Sequence, residues 1–283
     1  MSAVPQVAAA SVDRIVVAEH AQVTPTLVVR RALPDAAMRA VGPWVFLDHF
    51  GPLAVEPGDT GTSPHPHAGI ETVTYLFSGS MHHRDSLGHE GAVGPGGVQW
   101  MTAGRGIVHA ERPGGGEMLH GLQLWTKLPR AIQLAEPAYQ NLEAAALPEF
   151  RAGDAMVRVV AGEIAGHRSP AKARSPLLLA HLRFDAAGCS RLDVPAAFEI
   201  AAYVASGEAR LGQVHAATGT LARFDHRGTV AVEATGASDV VLLGGAALGE
   251  PLVFHGPFVM DSVAAIRQAD RDYFDGRMGT LSP

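Results

Sequence analysis

The chain has 283 residues, a length that suggests two domains or one large β domain. Apolar residues make up 47% of it, enough for a sizeable core, and its single cysteine, Cys189, excludes an intramolecular disulfide. The net charge of −6, without blocks of like charge, argues against direct binding to nucleic acid, whose phosphates need a basic face.

The N-terminus has no basic segment followed by a long apolar run, so neither a signal peptide nor a membrane span is expected, and the expected location is the cytoplasm. Cys189 reads as a small apolar residue in a reducing compartment. Residues 1–12 are small and Ala-rich and predict a loose arm. Strand character begins at Arg14 with Ile15, Val16 and Val17, and returns at Leu27, Val28 and Val29. Gly42-Pro43, Gly51-Pro52 and Pro57-Gly58-Asp59 punctuate the chain beyond Val29. Such short β runs between turn residues point to a sandwich or barrel.

Residues 69–78 (GIETVTYLFS) predict a strand, and a glycine-crowded turn region comes next over 88–97. Further strands are expected at 98–102, 107–111 and 119–126, with a loop at 103–106. Prolines 129, 137 and 148 break the pattern over 127–150, where the inter-domain linker is expected and where Ala144–Ala146 predicts one helical turn at most. β runs resume at 156–160, 177–184, 198–205 and 240–243. A C-terminal helix is expected, capped by Asp261 or Ser262, with Val263, Ile266, Ala269 and Tyr273 at helical spacing and Gly276 as the stop.

The two halves echo each other. Aligning Tyr75 with Tyr203 also aligns Glu71 with Glu199 and Gly79 with Gly207, which predicts two copies of one β fold in tandem. The same alignment puts Asp193 and Pro195 where His65 and His67 stand, and no H-x-E pair occurs in the second half. The expected domains are therefore 1–137, a metal-binding unit that includes a linker from about 127, and 138–283, a unit lacking the ligands.

Residues i and i+2 of a strand share a face, so His65 and His67 present two imidazoles side by side, and His109 and Glu111 do the same with an imidazole and a carboxylate. Pro66 supports the extended backbone by biasing His65 away from the helical region. Four such side chains on two strands can close on one divalent ion, and the donor set allows Fe(II), Mn, Ni, Cu or Zn. Glu71 has three readings: a ligand, a residue behind the ligands that fixes one histidine's tautomer, or an exposed side chain past a bulge. The second is preferred. Arg105, in a glycine-flanked loop, either meets an anionic substrate or pairs with a carboxylate. His82 and His83 come after a Gly-Ser turn and read as a solvated loop in which at most one side chain lines a pocket. Gln123 and Trp125 share a face opposite Leu122 and Leu124, toward a cavity or a seam between barrels. No nucleophile elbow, phosphate loop or dinucleotide fingerprint is present.

The runs HPHAGIETVTYLFSGSMHHRDSLGHEG, GGVQWMTAGRGIVHAE and GLQLWTKLPR, with the closing HGPFVMDSVAAIRQADRDYFDGRMG, resemble the pirin family of the cupin superfamily. The resemblance runs over most of the chain and is densest from Trp44 to Arg130. It implies an all-β bicupin: two tandem cupin β-sandwich barrels with a short C-terminal helix. It also implies one metal, usually iron and so Fe(II), in the first barrel. The family's ligands fall on His65, His67, His109 and Glu111, which leaves Glu71 outside the ligand set. Pirins commonly carry arginine directly after the second histidine of HPH. This chain has Ala68, so a cationic group near the site is expected to be missing. By family analogy Asp48 and Phe50 lie near the cavity mouth.

Several pirins resemble quercetin 2,3-dioxygenases, which open a flavonol with O2 and release carbon monoxide. The expected partners are thus a flavonol-like aromatic and O2, with Glu111 as the general base. A different class is also implied: a non-enzymatic, iron-dependent regulator that binds a transcription factor or a metabolic enzyme. A metal hydrolase or isomerase is a third possibility, since fold does not fix function.

Overall fold

Apolar side chains alternate along the short runs between glycine and proline turns, and these runs condense into two separate sandwiches. The computed structural model describes residues 10–25, 27–56, 58–59, 61–114, 118–225 and 228–282. Pro57 of the expected turn and most of the expected N-terminal arm lie outside them; from Ser11 the chain is already a strand, Ser11–Val17.

The first unit comprises Glu19–Pro34, Pro43–Leu147 and Leu248–Pro283. Its seven-stranded antiparallel sheet runs, edge to edge, Ala138–Leu142, Val98–Thr102, Ile70–Ser78, Met118–Lys127, Trp44–Ala54, Val28–Leu33 and Glu19–Gln22. A four-stranded sheet faces it, in the order His65–His67, Ile107–Pro113, Met81–Asp85 and Glu90–Val93. The helix Val263–Phe274 packs beside this sandwich through Ile266 and Ala269, in one cluster with Ala68, Val108, Phe258 and Met260. Ser262 is its N-cap, accepting from the Ala265 amide, while Asp261 accepts from Gln133 instead. The stop is at Gly276, with φ +73°.

The second unit comprises Met1–Ala18, Asp35–Gly42 and Pro148–Ala247. Its seven-stranded sheet runs Ser11–Val17, Thr220–Asp225, Phe198–Ser206, Ser238–Ala246, Leu177–Phe184, Ala155–Ala161 and Glu149–Ala152. Gly188–Asp193, Thr229–Ala234, Glu208–Leu211 and Val214–Ala217 form its four-stranded sheet. The strand order matches that of the first unit except at one edge, where Ser11–Val17, from the start of the chain, stands in the place of Ala138–Leu142. Ile70–Ser78 and Phe198–Ser206 occupy the same central place, and each ends at a glycine in the left-handed region, Gly79 (φ +77°) and Gly207 (φ +72°). The echo read from Tyr75 and Tyr203 is a structural repeat.

The division expected at 137/138 differs from these units because pairing crosses the sequence order. Ser11–Val17 pairs with Thr220–Asp225 and closes the edge of the second unit's sheet. Ala138–Leu142 pairs with Val98–Thr102 and stays with the first unit. The C-terminal segment from Leu248 also belongs to the first, where Ala68 bridges Phe258.

One row of paired residues separates the two interiors. In the first unit Gln99, Thr74, Gln123, Asp48 and Arg31 stand side by side across five strands. The matching row in the second unit is Ala222, Ala202, Leu242, Ala180 and Val159, all inside one apolar core cluster. One copy fills its interior with hydrocarbon, whereas the other keeps polar groups that need partners.

Candidate metal centre

His65 stands directly across from His109 in the antiparallel pair of His65–His67 with Ile107–Pro113. The alternation of side chains turns His67 toward the same interior. Ring centroids are 4.4 Å apart for His65 and His109, and 5.0 Å for His67 with each of them. One nitrogen from each of the three rings lies within 4.8 Å of the others. His67 and His109 are buried and His65 is half-buried.

The hydrogen bonds behind the rings set their tautomers. Nδ1 of His65 lies 2.8 Å from the Ser63 carbonyl, and Nδ1 of His67 lies 2.9 Å from the Pro257 carbonyl. A carbonyl only accepts, so each Nδ1 carries a hydrogen, which in the neutral ring leaves the lone pair on Nε2. Nε2 of His109 is buried with no hydrogen-bond partner among the described residues. Burial pushes His67 down to about 3, with His65 adding to the effect, and holds His109 well below the usual histidine range. Three imidazole nitrogens within 4.8 Å of one another, with the unpartnered Nε2 of His109 buried among these rings, fit a metal ion.

Glu111 approaches from the next inward position after His109. It belongs with His83 and His109 in a second group of close ligand atoms, which shares His109 with the first. Its carboxylate closes a ring with Thr74 and Gln123. Thr74 Oγ1 lies 2.7 Å from Glu111 Oε1 and 2.7 Å from Gln123 Oε1, and Gln123 Nε2 donates to Glu111 Oε2 at 3.1 Å. Three contacts need three hydrogens, whereas the hydroxyl and the amide supply one each, whichever way the amide is turned. One of the three contacts is therefore left without a hydrogen.

A cavity of about 510 Å³ opens onto this group. Asp48, Phe50, Gln123 and Trp125 all line it, together with His65, His67, Thr74 and Glu111. Leu27, Val29, Phe50, Leu53 and Leu119 form its apolar wall. On the other wall a column of stacked groups leads to the histidines. The Arg31 guanidinium lies 4.6 Å over Phe46, Phe46 stacks on Trp125 at 4.0 Å, and Trp125 meets the His67 ring edge-on at 4.8 Å. Arg31 also holds the buried Asp48 by two bonds of 2.8 and 2.7 Å. Burial pushes the Asp48 carboxyl up, against the opposing pull of Arg31.

Two expectations change, those for Glu71 and His83, and the open reading of Arg105 resolves to a carboxylate partner. Glu71 does not lie behind the histidines: it is on the face opposite Thr74, where Thr102 and Thr126 donate to its carboxylate. Gly69, with φ +78°, turns the chain between His65–His67 and Ile70–Ser78, so strand parity is not carried across. Ala68 is buried in the apolar cluster of the C-terminal helix and does not line the cavity. Arg105 pairs with Glu136 at 3.0 Å on the surface. His83 is not in a solvated loop: Met81–Asp85 is a strand, so His83 and Asp85 turn inward while His82 and Arg84 turn out. The signal was present as another H-x-D pair at strand spacing. Nothing local to the sequence marked Thr74, Arg31 or Pro257, because their roles come from pairing across strands or from a distant segment.

Residues 26–126 match the Pirin family and residues 179–279 match the Pirin C-terminal cupin domain. A pirin-like protein of Caulobacter vibrioides is 39% identical, over 88% of this chain and 89% of its own. Pirin of Homo sapiens is 36% identical, over 89% and 88%. Among solved structures, a quercetin 2,3-dioxygenase from Acinetobacter baumannii is similar with a TM-score of 0.91 and 28% identity, covering 97% of this chain and 100% of that one.

Proposed function

The chain belongs to the pirin family, and from that premise we propose that its first barrel is a metal-dependent dioxygenase of the quercetin 2,3-dioxygenase type, acting on a flavonol-like substrate with O2. The observation that carries this reading is the juxtaposition of three imidazoles, whose ligand nitrogens lie within 4.8 Å of one another, with the Glu111 carboxylate close to one of them, His109, and bonded to Thr74 and Gln123. The similarity to the Acinetobacter baumannii quercetin 2,3-dioxygenase supports it.

In this reading His65, His67 and His109 hold one divalent metal, proposed to be Fe(II), and Glu111 stands beside them as a fourth ligand. When bound, the metal supplies Lewis acidity and a fixed point for substrate and O2. Glu111 takes the proton of the flavonol hydroxyl at Oε1, and Thr74 and Gln123 complete their ring around the acid so formed. The apolar wall at Leu27, Val29, Phe50 and Leu119 takes the aromatic body of the substrate and excludes water. Gln123 and Asp48, on the polar wall, orient its remaining hydroxyls.

O2 uptake by metal-replete protein against a flavonol panel tests the proposal. Flavonol-dependent uptake that His109→Ala abolishes is the expected result. Absence of such uptake in protein shown to be metal-replete would overturn the enzyme reading and leave the regulatory one.

A further inference from the structure

Two of the three clustered histidines have Nδ1 on a backbone carbonyl, and among the described residues His109 has no such carbonyl. The only ring nitrogen paired with its Nδ1 among the described residues is Nδ1 of His83, 3.5 Å away. We propose that His83, backed by Asp85, is a positioning residue that holds His109 in the tautomer whose Nε2 lone pair faces the metal. This rests on the reading of His109 as a ligand.

The direction of each hydrogen is set from the far end of the chain of contacts. The Asp85 carboxylate accepts from the amides of Leu87 (2.9 Å) and His89 (3.1 Å) and meets Nδ1 of His89 at 2.9 Å, so it is built as an acceptor. Nε2 of His83 lies 3.3 Å from the same carboxylate and therefore carries its hydrogen. In the neutral ring that leaves a lone pair on Nδ1 of His83. The facing Nδ1 of His109 must then donate, and the lone pair of His109 moves to Nε2, the buried atom with no partner. His83 cannot turn freely. Its ring stacks on Tyr139 with centroids 4.4 Å apart and an interplanar angle of 13°. It is buried, as is Asp85. The four residues come from three strands of one sandwich, a rigid support for a ligand.

Nitrogen-15 NMR of histidine-labelled, metal-free wild-type protein reads the tautomers without any substitution. The expected pattern is a protonated Nδ1 and bare Nε2 on His109, with the reverse on His83. A protonated Nε2 on His109, or a protonated Nδ1 on His83, overturns the proposal. So does a metal-type shift at His83 Nδ1 on adding Zn(II), which would make His83 itself a ligand.

Zn(II) affinity by competition with a chromophoric chelator supplies the second readout. His83→Phe keeps a flat ring against Tyr139 but removes the acceptor, and is expected to weaken Zn(II) binding by about 10- to 100-fold. His83→Gln, whose amide oxygen can accept from His109, is expected to recover most of that loss. Unchanged affinity in folded His83→Phe overturns the inference. His109→Ala separates the two readings: if it leaves Zn(II) affinity intact, the ligand assignment itself fails. If it abolishes binding while His83→Phe does not, only the positioning role fails.

Discussion

Nδ1 of His67 and the carbonyl of Pro257 meet at 2.9 Å across 190 residues of chain. The C-terminal segment therefore contributes to the candidate metal centre of the first unit. Ile266 anchors this segment in the apolar cluster that also holds Ala68 and Phe258. Ile266→Ala is expected to cost about 2–5 kcal/mol in urea unfolding, and to weaken metal binding as the Pro257 carbonyl loses its place. An unchanged midpoint together with unchanged affinity would rule out this coupling.

Metal binding to the folded state alone must appear as stability. At a free metal concentration of about 100 times Kd, the gain is about 2.7 kcal/mol. Thermal unfolding of wild type with and without Fe(II) or Zn(II) should show a clear rise in Tm, and His109→Ala should lose it. An equal rise in the variant would contradict the assignment of His109.

The metal-free protein should lose stability in acid from its buried histidines. His49, 2.7 Å from His120 between their Nε2 atoms, is pushed down to about 3 by burial, and so is His67. Between pH 6.5 and about 3 the unfolded chain binds protons at these rings and the folded chain does not, so stability rises with pH across that window and is flat for these groups above it. Each ring contributes on the order of 1 kcal/mol per pH unit there. Urea midpoints at pH values on either side of the histidine range measure the slope, and a flat profile would contradict burial of the neutral rings.

The ring of Glu111, Thr74 and Gln123 predicts a separable effect on turnover. Glu111→Gln should lower flavonol-dependent O2 uptake by about 10²- to 10⁴-fold, the usual contribution of a positioned base. Thr74→Val should fall between wild type and that variant, because Gln123 still holds one carboxylate oxygen. Steady-state kinetics at matched metal occupancy decide it, and full activity in Glu111→Gln would remove the base from the scheme.

The matched rows of the two sandwiches predict opposite responses to exchange. Leu242→Gln puts an amide into the apolar core of the second unit and is expected to cost on the order of several kcal/mol. Gln123→Leu, at the equivalent place in the first, should lose much less, since Thr74 remains for Glu111. Comparable losses in the two variants would mean that the rows are not equivalent.

Much of the site was legible because strand alternation is local. His65-Pro66-His67 and His109-Ala110-Glu111 announce shared faces from spacing alone, and the Tyr75/Tyr203 echo announces the repeat. The same rule misplaced Glu71, since Gly69 breaks the alternation two residues earlier and a left-handed glycine between strands resets which face is inward. His83 was misread through its neighbours: the Gly79-Ser80 turn before it suggested a loop, but the alternation of His83 and Asp85 holds once Met81–Asp85 pairs with Ile107–Pro113.

The sequence by itself determined a tandem β repeat, the shared strand faces of His65 with His67 and of His109 with Glu111, and the absence of such pairs from the second half. Those properties come from residue type and a period of two, which survive without knowledge of partners. Only the tertiary structure decided which end of the chain closes which sandwich, which carbonyl orients His67, and that Thr74 and Gln123 cradle Glu111. Each of these is set by the register between strands or by a segment far away in sequence, and no local pattern carries that information.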